Sequence, residues 1–134
     1  MRFAGYAAVF DRVDRGGDVV RKGAFRRAVA AGPGGVPLLW QHDPGKPIGR
    51  IDYLAEDRRG LRVIGRLSQT AAAREAGALL RDRAVEGLSF GYRVRGSANR
   101  TNRELMDLDL VEVSLVTFPM QPGARVHAVV NEKP

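Results

Sequence analysis

The chain offers few side chains that could act as a nucleophile. It contains no cysteine, so covalent catalysis would have to use a hydroxyl group, and disulfides and thiolate metal sites are excluded. Ser89 stands out because the sequence GLSFG surrounds its hydroxyl with small residues, which would let a substrate backbone approach closely. The structural alternative is a strand serine between two glycines that relieve crowding.

Histidine, the usual general base, is equally scarce, because only His42 and His127 occur. Strand alternation places the His42 imidazole at the end of a buried row, next to a predicted turn at residues 43–46. A general base, a metal ligand and a structural histidine that caps the turn all fit this position. His127 lies on the last predicted strand, and we expect it at the surface. The residues that share a face with His42 are Val36, Leu38 and Trp40.

Glu112 is the anomalous carboxylate of the sequence. Neither face of the predicted strand around it is polar, so we expect its side chain to be partly buried. A buried carboxylate needs a partner, which here is either an arginine or an imidazole N–H. The sequence leaves both partners open.

Residues 87–91 also fit the G-x-S-x-G nucleophile elbow of α/β-hydrolases, and Asp107, Asp109 and His127 follow in that family's order. The elbow needs a strand before the serine and a helix after it. Here a predicted helix precedes the serine and a strand follows it. At 134 residues the chain is also too short for that doubly wound sheet. We therefore do not favour the elbow.

The net charge of +7 comes almost entirely from arginine. The arginines are scattered and the few aromatic residues form no stacking platform, so the sequence does not favour a nucleic-acid partner. Its apolar runs are the length of strands and its first residues lack a signal-peptide stretch, so we expect a soluble protein with no membrane contact. It also lacks metal-binding motifs and a P-loop, so we expect no cofactor and no metal.

Periodicity predicts the elements that would position these side chains. Strands and helices do not alternate as they do in βαβ units, so we predict an α+β fold in one domain, residues 1–134, with a mostly antiparallel, barrel-like sheet of about seven strands. The longest helix should begin after Ser68 or Thr70 as its N-cap. The predicted strands are residues 1–10, 36–42, 48–54, 61–67, 88–94, 105–118 (one strand or two) and 125–130, and the predicted helices are residues 24–31 and 70–84.

Several blocks of sequence, in this order, resemble the prohead (capsid maturation) proteases of tailed phages and gene transfer agents, serine peptidases distantly similar to the herpesvirus assemblins. The resemblance covers nearly the whole chain. Its blocks are GYAAVFD at residues 5–11, GD at 17–18 with GAF at 23–25, PLLWQHDP at 37–44 with IG at 48–49, GLSFGY at 87–92, and VEVSLVT at 111–117 with Pro119.

The resemblance implies a seven-stranded β-barrel flanked by two or more helices, and a serine endopeptidase with Ser89 as nucleophile, His42 as base and Glu112 as third member. It implies that the substrates are the scaffolding segment of the major capsid protein, or a separate scaffold, and the protease itself. The site of action would be the immature capsid in the cytoplasm of a bacterial host. A homo-oligomer stays open.

Two other classes of function also stay open. One is a noncatalytic assembly protein of the same fold that binds capsid or scaffold protein, with Ser89 and His42 only structural. The other is an arginine-rich DNA-packaging factor, whose affinity for DNA would fall steeply with salt.

Overall fold

The computed structural model describes residues 1–131, which fold into eight strands and two α-helices. A short 3₁₀ turn, Pro33–Gly35, follows the first helix. The elements are β1 (Arg2–Val9), β2 (Asp18–Val20), α1 (Arg26–Ala31), β3 (Pro37–Trp40), β4 (Asp43–Glu56), β5 (Gly60–Leu67), α2 (Ala71–Arg81), β6 (Gly87–Asn99), β7 (Arg103–Val116) and β8 (Val126–Val130).

The strands form one sheet in the order β2-β7-β3-β4-β5-β1-β8, and β6 also pairs with β7. Strands β2 and β3 run parallel to β7, whereas the other pairs are antiparallel. The expected mostly antiparallel sheet is therefore corrected to a mixed sheet. Periodicity could not reveal this, because it finds strands without identifying partners that are distant in the sequence. The order found among residues 1–131 is an open path, so closure into a barrel is not confirmed.

The α+β class is confirmed, but some elements differ from their predicted extents. Strand β2 lies where no strand was predicted, because three residues are too few for alternation to be recognised. Strand β6 runs on to Asn99, five residues beyond its predicted end at residue 94, and remains paired with β7. Residues 103–116 form one long strand rather than two.

Helix α2 is the longest helix of the described residues, as expected. Thr70 caps it, since its Oγ1 accepts a hydrogen bond from the backbone N–H of Ala73 at 3.1 Å. The helix buries one small-residue face against β4 and β5, with Ala73, Ala76 and Leu80 almost without solvent contact. It ends at Arg81, three residues earlier than predicted.

Core residues pack on β3, β6 and β7, the strands that carry Ser89 and Glu112 or lie next to them. Phe25 is fully buried just before α1, and its ring lies edge-on to that of Phe90 and stacks against that of Phe10. Leu38 and Val113, which are Cα partners on β3 and β7, are also fully buried. This packing fixes the three strands that hold the candidate site.

Candidate active site

His42 lies in a tight turn between β3 and β4. Trp40 ends β3, Asp43 begins β4, and the two intervening residues, Gln41 and His42, have φ values of 52° and 60°. Positive φ at both central residues is the geometry of a type I′ hairpin turn. The turn predicted at residues 43–46 therefore lies two residues earlier, and residues 44–46 form a bulge in which Asp43 Oδ1 accepts the Gly45 N–H at 2.8 Å.

Hydrogen bonds to the end of β7 hold this turn in place. The Gln41 amide donates to Thr117 Oγ1 at 2.7 Å and accepts the Thr117 N–H at 3.2 Å. The backbone N–H of Gln41 donates to the carbonyl of Leu115, and that of His42 donates to Ser114 Oγ at 3.1 Å. Positive φ is costly for residues other than glycine, so these bonds compensate for the conformation that orients the imidazole.

Glu112 is the partner of the His42 ring. Its Oε1 lies 2.5 Å from His42 Nδ1. Of the two partners that the sequence allowed for Glu112, the structure therefore shows the imidazole and not an arginine. The Glu112 side chain is only 9% exposed and that of His42 is 42% exposed, so the carboxylate lies beneath a ring that solvent can reach. Ser114 Oγ donates to Glu112 Oε2 at 2.7 Å, which satisfies the second carboxylate oxygen.

This contact changes the acidity of the imidazole. The hydrogen bond to Glu112 and the attraction of its negative charge raise the pKa of His42, although partial burial acts in the opposite direction. With Nδ1 bound to the carboxylate, the other ring nitrogen, Nε2, is left to exchange a proton with a neighbouring group. The arrangement suits a base that must accept a proton and stabilise it.

Gly91 leaves room for the Glu112 side chain. It is the Cα partner of Glu112 in the β6–β7 ladder. A Cβ atom at Gly91 would lie 2.5 Å from Glu112 Oε1, closer than side chains tolerate. The second glycine of GLSFG therefore leaves the space that the Glu112 carboxylate occupies when it reaches His42.

Ser89 lies on the same face of the β6–β7 pair. It is directly opposite Ser114 in the ladder, two residues from Gly91, and is only 8% exposed. Ser89 and His42 line one small cavity of about 130 Å³. Within residues 1–131 no hydrogen bond joins the two side chains.

The structure does not support the nucleophile elbow. A strand, not a helix, follows Ser89. Asp107 binds Arg27 through both carboxylate oxygens, and Asp109 binds Arg95. His127 is exposed on β8 and packs edge-on against the Tyr6 ring, outside the cavity that Ser89 lines.

Ser114 is the site residue that the sequence did not assign. It is fully buried and bonds both the His42 backbone and the Glu112 carboxylate. The sequence places Ser114 on the same strand face as Glu112. Its role could not be predicted from this, because the His42 backbone that it binds is distant in the sequence.

No group of three histidine or acidic side chains in residues 1–131 could hold a metal ion. No helix in the same range is long and apolar enough to cross a membrane.

The sequence matches the family model of the caudovirus prohead serine protease over residues 1–133. It is also 35% identical, over 133 residues, to the prohead protease of Enterobacteria phage HK97. That match covers 95% of this chain and 59% of the phage protein, so the chain spans about three-fifths of the relative's length.

Two solved structures show the same fold at low sequence identity. The capsid assembly protease of bacteriophage T4 matches with a TM-score of 0.59 and 12% identity, over 93% of this chain and 79% of the other. The KSHV protease, solved with a hexapeptide phosphonate inhibitor, matches with a TM-score of 0.58 and 13% identity, over 93% of this chain and 63% of the other.

Proposed function

The chain belongs to the caudovirus prohead serine protease family, and we propose that it is a serine endopeptidase that uses Ser89, His42 and Glu112. The observation that carries the proposal is the hydrogen bond between buried Glu112 and His42, the residue that lines the same cavity as Ser89. A nucleophile, a base and a group that orients the base are what triad chemistry requires.

In the proposed mechanism, Ser89 Oγ attacks the carbonyl carbon of the scissile peptide while His42 Nε2 takes the hydroxyl proton. Collapse of the tetrahedral intermediate breaks the C–N bond, and His42 returns the proton to the leaving amine. Water, activated by the same imidazole, then hydrolyses the acyl-enzyme. Glu112 holds Nδ1 protonated and stabilises the imidazolium that forms.

The proposed substrates follow from the family. They are the scaffolding segment of a major capsid protein, or a separate scaffold protein, and the protease itself by autocleavage. The proposed site of action is the immature capsid in the cytoplasm of the bacterial host.

Co-expression with the cognate capsid protein tests this proposal. We expect mass spectrometry to detect capsid protein shortened at one internal bond, and to detect only full-length capsid protein when Ser89→Ala replaces the wild type. The substitution opens almost no cavity, so the variant should stay folded. If the capsid protein assembled but stayed uncleaved with both the wild type and Ser89→Ala, the result would favour a noncatalytic assembly role.

A further inference from the structure

Two arginine-lined depressions lie near the cavity that Ser89 lines. The first has a volume of about 830 Å³ and shares Gln121 with the Ser89 cavity. The second has a volume of about 670 Å³ and shares Arg59 and Gly123 with the first. Together they form a continuous surface, called here the arginine track. Its arginines are Arg12, Arg58, Arg59, Arg81, Arg83 and Arg125.

The positive charge of the arginine track is poorly compensated. All six arginines are exposed, and among the described residues 1–131 that line the two depressions Glu86, which binds Arg125, is the only carboxylate. Asp57 and Asp82, which are next to track arginines in the sequence, offset part of this charge, and Asp57 also accepts a hydrogen bond from the hydroxyl of Tyr6. The six arginines still outnumber these carboxylates and Glu86, and the net positive charge attracts an anionic ligand.

The lining favours a polypeptide over a nucleic acid. Leu80, Val126 and Val129 also line the second depression. Strand β8, which contributes Val126 and Val129, is the last strand of the sheet order and pairs along its length only with β1. Apolar side chains and a sheet edge suit an extended peptide, and the first depression shares Gln121 with the cavity proposed to hold one.

We propose that the arginine track binds an acidic segment of the substrate polypeptide, at a distance from the bond that is cut. This inference rests on the proposed function and adds a substrate class to it: proteins that carry a Glu- or Asp-rich stretch some residues away from the cleavage site. Binding such a stretch would select substrates by charge and leave the Ser89 cavity to position the scissile bond.

The test measures binding in the Ser89→Ala background, so that cleavage plays no part. The probes are two fluorescein-labelled decapeptides, one alternating Glu with Ala and the other alternating Gln with Ala. We expect fluorescence anisotropy to show saturable binding of the Glu peptide only, and binding should weaken as salt rises to about 0.15 M.

Matched double variants then locate the binding surface. Arg58→Gln with Arg81→Gln removes two charges from the track and should weaken binding of the Glu peptide by at least about fivefold. Arg26→Gln with Arg74→Gln removes the same charge from exposed positions outside the track and should change it by less than about twofold. Circular dichroism confirms that each protein is folded.

Three results would overturn the proposal: no binding of the Glu peptide, equal weakening in the two double variants, or tighter binding of a single-stranded oligonucleotide of equal charge. The last result would assign the track to nucleic acid. Labelling of Ser89 by a fluorophosphonate tests the protease assignment separately, so either proposal can fail while the other stands.

Discussion

At the scale of single residues, the site depends on how His42 is held. Its backbone adopts a left-handed conformation, its N–H is bonded to Ser114 Oγ, and its Nδ1 is bonded to Glu112. A conformation that costs about 1–2 kcal/mol persists only when its surroundings impose it. Here the surroundings that impose it are Glu112 and Ser114.

Glu112→Gln should remove most of the activity and shift its pH dependence. Glu112 raises the pKa of His42, so its loss lowers that pKa. The base works when neutral, so the acidic limb of the pH profile of kcat/KM should move to lower pH, and kcat should fall by at least about a hundredfold. Residual activity measured against pH checks this. An unmoved acidic limb would mean that Glu112 does not set the pKa of the base.

Ser114→Ala should impair the positioning of His42 and Glu112 without affecting substrate binding. It leaves the His42 N–H and Glu112 Oε2 without their buried partner, a loss of about 1–3 kcal/mol. We expect kcat to fall about tenfold while KM stays within about twofold. A rise in KM with unchanged kcat would contradict the positioning role.

At the scale of elements, the β6–β7 pair brings the serine and the carboxylate together, and Gly91 makes this possible. We predict that Gly91→Ala lowers kcat/KM by at least about tenfold, since its Cβ would displace the Glu112 carboxylate. Gly96→Ala is the matched control, because its Cβ would meet only Asp107 Cβ, at 3.4 Å. Kinetics on one capsid-derived peptide compare the two variants. Equal activity in both would show that the carboxylate need not occupy its observed place.

The elements also show how far the sequence can predict the site. Helix α2 was predictable because its apolar spacing and its cap at Thr70 are local signals. Strand alternation predicts that Glu112 needs a partner. It does not predict that the partner is His42, because this contact depends on a turn with positive φ at Gln41 and His42, and neither residue type is typical of such a turn. Type I′ turns favour Asn-Gly, so the Asp43-Pro44-Gly45 segment gave the stronger and incorrect turn signal.

At the scale of the whole molecule, the core supports the strands that carry the site. We predict that Phe25→Ala lowers the free energy of unfolding by about 3–5 kcal/mol, because Phe25 is fully buried against two other phenylalanines. Phe118→Ala, at a position that is 78% exposed, should change it by less than about 0.5 kcal/mol. Urea unfolding followed by circular dichroism measures both. Similar losses of unfolding free energy in Phe25→Ala and Phe118→Ala would contradict the packing of Phe25 in the core.

The measurement that tests the central claim most directly is labelling with a fluorophosphonate, followed by peptide mass spectrometry. We predict one labelled residue, Ser89, with labelling abolished in Ser89→Ala and slowed by at least about 10³-fold in His42→Ala, the scale of losing a triad member. His127→Ala, which removes the other histidine, should label within about tenfold of the wild-type rate. Labelling at another serine, or equal rates in the two histidine variants, would contradict the assignment of Ser89 and His42.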